Sequence, residues 1–237
     1  MAKKGNGYIF GFALIICVIC SLLLSLVSEG LRPKKELNEA LDVKKNILKA
    51  VELKEPPSPK AKAKELLDIY GSKIQEKVTD AQGNIVDGKK PEDIKEGEAL
   101  YPIYVYVEGS EVMAYAFPIV GKGLWSTLYG YMALEPDAKT VRGISFYKHG
   151  ETPGLGAEIE QDWFQNNFKG KSIWDASNNE LRPVAVVKGK VAEKVAKNEQ
   201  AYYVDGISGA TITSKGVTAM IRKELQKYEP FFGKIRK

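Results

Sequence analysis

Tyr8–Val27 reads YIFGFALIICVICSLLLSLV, a run of about 20 residues without a charge, the length an α-helix needs to cross the hydrocarbon core of a bilayer. In lipid every backbone N–H and C=O must be satisfied within the segment, so this stretch is restricted to a helix. Lys3 and Lys4 precede it, and Glu29 and Arg32 follow. A cleaved signal peptide is the competing reading, but the apolar run is long for one and Ser25–Gly30 is a weak small-residue cleavage site. A lipoprotein leader fits less well, because Cys17 and Cys20 each follow an isoleucine. We therefore expect a tail at 1–7 and an uncleaved transmembrane helix at 8–28. Lysines and arginines flank both ends, so the positive-inside rule does not fix its orientation.

The rest of the 237 residues is ordinary for a folded chain, with 44% hydrophobic and 27% charged residues, which excludes a disordered or collagen-like protein. The formal net charge is +5, but the first 35 residues hold five bases and one acid, leaving 30 bases against 29 acids beyond them. So balanced a body does not suit a reader of nucleic acid. The only cysteines, Cys17 and Cys20, form a C-x-x-C inside the apolar run. Two thiolates do not complete a zinc site. They read as small apolar helix residues, with a contact to a partner protein, or a cluster shared with other subunits, as the alternatives.

Residues 29–97 read as a helical juxtamembrane and linker region. Leu37, Leu41, Ile47, Leu48 and Val51 predict a helix over Glu36–Leu53, and Glu55–Pro59 (EPPSP) predicts a stiff hinge. Leu66, Leu67, Ile69, Ile74 and Val78 predict a second helix over Lys62–Val78, followed by a turn-rich stretch to Gly97. From residue 98 to 237 strand signals dominate. Ala99–Val107 and Val112–Val120 flank a hairpin turn at Glu108–Ser110, and Leu124–Glu135 and Val141–His149 flank a turn at Pro136–Asp137. Helices are expected at Glu158–Phe168 and Lys215–Tyr228, and short strands at Pro183–Lys188 and Tyr202–Val204. The fold class is α+β: an N-terminal transmembrane helix, then an antiparallel sheet with packed helices.

Three segments stand out. In Asp205–Gly216 (DGISGATITSKG), Gly206 and Gly209 bracket a turn, Ser208, Thr211, Thr213 and Ser214 supply hydroxyls, and a helix follows. Free amides at a helix start suit a phosphate, although an N-capped helix after a tight turn has the same look. The spacing is that of neither a P-loop nor a dinucleotide fingerprint. In Lys148–Gly156 (KHGETPGLG), the only histidine, His149, precedes Gly154 and Gly156 around Leu155, where backbone could approach a flat ligand or simply turn. In Gly121–Gly130 (GKGLWSTLYG), Trp125 could flank an aromatic ring or belong to the core. No Ser/His/Asp or Cys/His arrangement is present, so chemistry brought by an organic cofactor fits better than hydrolysis.

At these residues a resemblance appears. Asp205 and Ser208-Gly209-Ala210-Thr211 resemble the flavinylation motif of FMN-binding domains in bacterial respiratory complexes. His149-Gly150-Glu151-Thr152-Pro153-Gly154-Leu155-Gly156 and Gly123-Leu124-Trp125-Ser126 resemble that family's other signatures. The anchor and Leu41–Leu48 (LDVKKNIL) are similar to the NqrC family, whose members belong to the Na⁺-translocating NADH:quinone reductases. The resemblance implies FMN joined through its phosphate to Thr211 by a phosphodiester that a dedicated flavin transferase makes. The residues it implicates around the cofactor are Asp205, Ser208, Gly209, Ala210, Thr213, Lys215, Trp125, Ser126, His149, Glu151, Thr152, Gly154, Leu155 and Gly156. It implies an electron carrier, not catalytic alone, that works with the other subunits of a membrane complex and with membrane lipid. It also implies a single-pass protein of the bacterial inner membrane, with its FMN domain on the periplasmic side. Two readings compete with it: the homologous flavoprotein of the ferredoxin-linked complex, and a membrane-tethered binding module without flavin.

Overall fold

A computed structural model describes residues 5–53, 63–177 and 180–236. The EPPSP hinge lies outside the described residues. Two units divide the chain, one ending at Asp42 and one running from Val43 to Lys237.

The apolar run is helical as expected, but its helix does not stop at residue 28. Helix α1 (Asn6–Ala50) is continuous through Pro33 and includes most of the helix expected at Glu36–Leu53. Residues 29–36 support the helix with ion pairs of their own, Arg32 lying 3.4 Å from Glu29 and 3.0 Å from Glu36. In the first unit, α1 is long and apolar enough to cross a membrane, and none of its apolar window is buried.

The second unit is built on one antiparallel sheet. Helix α2 (Ala63–Lys73) leads into β1 (Ile74–Asp80), then β2 (Leu100–Glu108), β3 (Glu111–Lys122), β4 (Thr127–Leu134) and β5 (Val141–Lys148), paired in that order. The expected helix at Lys62–Val78 thus breaks at Lys73. Ile74 and Val78 stand four apart, a spacing that keeps one face of a helix and equally one face of a strand. Along its length β1 pairs with β2, from Ile74↔Tyr106 to Asp80↔Leu100. β1 thus belongs to the same compact unit as the rest of the sheet, Val43–Lys237.

Beyond the sheet, the helix expected at Glu158–Phe168 is a chain of short pieces. A 3₁₀ turn at Gly156–Glu160 leads to α3 (Asp162–Gln165) and a second 3₁₀ turn at Asn166–Phe168. Its apolar residues Ile159, Phe164 and Phe168 are all buried, but they follow the surface of the sheet and not one helical stripe. β6 (Ala185–Val186) lies parallel to β7 (Tyr203–Val204), with α4 (Val191–Lys194) between them in the chain. Helix α5 (Thr211–Ile235) starts four residues earlier and ends seven later than expected.

The sheet is covered on both sides. Val217, Met220, Ile221, Leu225 and Tyr228 of α5 join Phe117, Ile119, Leu128 and Met132 in the main core. On the other face the last turns of α1 bury Ile47, Leu48 and Ala50, with Val51 just beyond, and Ser145 Oγ donates to Asn46 O at 3.0 Å. This double cover explains why Ile103–Val107 is buried at every position instead of alternating.

Arg142 fastens that second layer. Its guanidinium donates to Val51 O, Glu52 O, Met113 O and Glu135 Oε2, with its side chain only 14% exposed. Arg142→Ala leaves those acceptors without their donor and is expected to lower unfolding free energy by about 2–3 kcal/mol. Urea unfolding of the full chain in detergent, followed by tryptophan fluorescence, checks this, and Arg142→Lys should recover part of the loss.

Candidate cofactor site

The three glycine-rich segments meet at one carboxylate. Glu151 is 5% exposed. Its Oε1 accepts from the amides of Trp125 at 2.9 Å and Ser126 at 3.3 Å, and its Oε2 from Leu124 N at 3.1 Å and Thr213 Oγ at 2.6 Å. The first three donors come from residues 123–126, the loop that joins β3 to β4 beyond the Lys122↔Thr127 pair. Consecutive amides turned inward around one anion form an anion-binding concavity, and here the anion is the protein's own. Burial raises the Glu151 carboxyl. The Thr213 hydroxyl and the three amides outweigh that effect and hold it below the ordinary glutamate value.

Glycine is required where the segments touch. A Cβ on Gly156 would lie 2.6 Å from Thr213 Oγ and 2.8 Å from Glu151 Oε2, so any side chain there would part the carboxylate from its hydroxyl. Gly209 turns the chain into α5 with φ +74°, the left-handed region that glycine enters at little cost, and lies against Leu155.

Helix α5 begins at Thr211, with Ala210 as its N-cap and no side-chain cap. Thr211 is therefore inside the first turn, where we expected a loop. Beside it is a cavity of about 80 Å³ lined by Thr211, Ser214, Lys215, Lys188, Ile207 and the Val186–Val187 segment. Ser214 is buried, and its Oγ has no hydrogen-bond partner among the described residues. An unpartnered hydroxyl, two lysines and an uncapped helix start form a donor set that fits a phosphate. A larger cavity, about 480 Å³ and lined by Arg182, Tyr202, Arg222 and Glu229, shares no residue with the three segments. Size does not locate this chemistry.

Around the same point Leu124, Trp125, Leu155 and Ile212 are exposed, Trp125 to 71%. Trp125 is not part of the core. Apolar side chains held at the surface by a buried network suit a flat ring.

The other expected site residues divide into two groups. Ser208 is exposed on the turn before α5, and Lys215 lines the cavity. Thr152 O accepts from Leu155 N and Ala157 N, and Gly154 takes φ +73°, so both shape the loop that carries Leu155. Ser126 Oγ accepts from Gly150 N at 2.6 Å, stitching two of the segments together. His149 turns inward, its Nδ1 accepting from Glu151 N while Nε2 faces Glu160. Asp205 also turns away from Thr211. Its carboxylate accepts from Val191 N at 2.8 Å and Lys190 Nζ at 2.9 Å. Burial raises that carboxyl, and the two donors bring it below the ordinary value. Two residues were not among those expected at the site: Lys188, which reaches the cavity from just beyond β6, and Ile212. The latter was detectable, since it stands off the Val217–Met220–Ile221–Leu225 stripe.

Residues 123–226 match the FMN-binding domain family. The NqrC component of the Na⁺-translocating NADH-quinone reductase of Pseudomonas aeruginosa is 34% identical, over 95% of this chain and 94% of its own. That of Haemophilus ducreyi is 35% identical, over 92% and 90%. The crystal structure of the corresponding protein from Parabacteroides distasonis superposes with a TM-score of 0.72 at 35% identity, covering 85% of this chain and 96% of that one. NqrC from Shewanella oneidensis, at 24% identity and a TM-score of 0.67, shares the fold.

Removing the central acceptor tests the network. Glu151→Ala leaves three amides and a buried hydroxyl unsatisfied and is expected to cost about 3 kcal/mol. A carboxyl held below its ordinary value stabilises fully above the unfolded glutamate pKa of about 4.3 and loses that contribution as pH falls through its lower folded value. The stability gap between wild type and Glu151→Gln should therefore be constant above about pH 4.3 and close in acid, as pH-dependent urea unfolding would show.

Proposed function

The chain belongs to the NqrC family of the Na⁺-translocating NADH-quinone reductases, and we propose that it carries electrons within such an enzyme on an FMN joined by a phosphodiester to Thr211. The observation that carries this reading is the convergence on Glu151. It brings the Gly123–Ser126, His149–Gly156 and Asp205–Gly216 segments to the helix start where Thr211 stands.

FMN, when bound, supplies one- and two-electron redox chemistry. The chain's own residues hold and orient it. Thr211 provides the hydroxyl to which the phosphate is joined, a bond we assign to a dedicated flavin transferase. A phosphodiester retains one negative charge. Lys188 and Lys215 would balance it, and the first-turn amides of α5 and the Ser214 hydroxyl are the donors that would hold it. Leu124, Trp125, Leu155 and Ile212 are the exposed apolar side chains that would border the ring and keep water from part of it. Glu151 and Thr213 do not touch the cofactor in this reading. They fix the loops that do.

The apolar part of α1 anchors the protein in the bacterial inner membrane, and we place the folded unit on the periplasmic side. Its partners are the remaining subunits of the complex and the surrounding lipid. The ferredoxin-linked alternative is less favoured, because the similarity to NqrC runs through the anchor and covers nearly the whole chain.

The intact mass of the denatured full chain, made in a host with the transferase, tests the covalent link. An added mass of one FMN less water, mapped by fragmentation to Thr211 and lost in Thr211→Val, is the expected outcome. A modification mapped to Thr213 would contradict it, since that hydroxyl is buried against Glu151.

A further inference from the structure

The exposed apolar side chains of the site have a charged border. Lys122 ends β3 immediately before the Gly123–Ser126 loop, and Lys148 ends β5 immediately before His149. Lys188 and Lys215 line the cavity beside Thr211. All four are exposed, and none has an acidic partner within ion-pair distance among the described residues. Lys148 makes a cation–π contact, 5.5 Å from the Tyr129 ring. Four acids near the face have contacts of their own. Glu151 is buried in its network, Asp205 holds Lys190, Glu160 faces His149, and Glu158 accepts from Trp163 Nε1 at 3.1 Å.

We propose that this face is an electron-transfer docking surface, and that its occupant is a surface of another subunit with an apolar centre and a rim of carboxylates. The proposal rests on the electron-carrier reading above. The four apolar side chains are held by one rigid cluster. Leu124 and Trp125 donate their amides to Glu151, Leu155 lies against Gly209, and Ile212 sits between Thr211 and the Glu151-bound Thr213. An apolar centre with a polar rim is the anatomy of protein interfaces, and redox encounters use small ones. Charge at such a rim steers approach and sets orientation more than it adds affinity. Lysines that hold no acid among the described residues suit that task. Tryptophan, leucine and lysine together also suit a lipid surface. The protein occupant is favoured because the face surrounds Thr211: a flavin there must exchange electrons with another redox centre, and phospholipid itself carries none.

The test uses the assembled complex with the double variant Lys122→Glu/Lys148→Glu, two residues outside the cofactor-holding set. Covalent flavin on this chain is read by in-gel fluorescence, and its reduction by NADH is followed by stopped-flow absorbance across a salt series. Flavin content should be unchanged, while reduction slows about tenfold at low salt. The salt dependence should change sign, from inhibition in the wild type to acceleration in the variant. Lys122→Arg/Lys148→Arg should behave as wild type. Full flavin content with unchanged rate and salt slope would overturn the docking surface and leave the carrier reading intact. An effect seen only in liposomes of anionic lipid and absent in neutral detergent would overturn it in favour of a membrane contact. A wild-type chain lacking flavin would instead refute the carrier reading itself.

Discussion

The site depends on one buried carboxylate having four donors. A glutamate removed from water in this way is costly unless its lone pairs are satisfied. Here they are, by three consecutive amides of a hairpin loop and by a threonine hydroxyl from α5. Each donor comes from an element that cannot move alone. The hairpin loop closes β3 and β4, Thr213 is fixed in a helix packed along β3, and Glu151 leaves the end of β5. Satisfying the carboxylate therefore sets the distance between three parts of the fold, and the exposed side chains beside them inherit that position.

The sheet makes this possible because both of its faces are occupied. Helix α5 supplies the main core on one side, and Val43–Val51 with Arg142 closes the other. Such a sheet has few places where backbone is free to bind anything. The hairpin loop, the turn after β5 and the start of α5 are such places, and they lie together. This follows the general pattern that rigid elements carry the scaffold and their connecting loops carry the chemistry.

Much of this was legible in the sequence, in the ways the physics allows. Strands β2 to β5 and the turns at Glu108–Ser110 and Pro136–Asp137 followed from apolar runs broken by Gly, Ser, Pro and Asp, and the three glycine-rich segments were visible as segments, but the strand expected at Leu124–Glu135 starts only at Thr127, because Leu124–Ser126 form a loop whose amides turn to Glu151. Other features were not. The break at Lys73 was hidden because a four-residue spacing serves both helix and strand. The continuity of α1 was hidden because charged residues after an apolar run look like a boundary, whereas Arg32 and its glutamates stabilise the helix there. The placement of His149 and Asp205 could not be read at all. Both stand in a motif that surrounds the site, yet each turns its side chain into the scaffold, and spacing along a chain does not tell which way a side chain faces. Glu151 looked like one more motif residue, and only its four partners show that the motif is held together by it.

The shape of the site bears on why a covalent bond would be used. Pockets that retain a cofactor without one usually enclose about 300–1,000 Å³ and bury most of its surface. The cavity beside Thr211 has a volume of about 80 Å³, and the apolar side chains near it face solvent. It has room to hold a phosphate and little to enclose a ring. An electron carrier benefits from that openness, because a ring at the surface can be approached by donor and acceptor in turn. Burial and accessibility oppose one another when affinity alone must retain the cofactor. On the proposed reading, the bond to Thr211 separates them: retention rests on one covalent link at the helix start, and the ring's surroundings are left free to serve its partners.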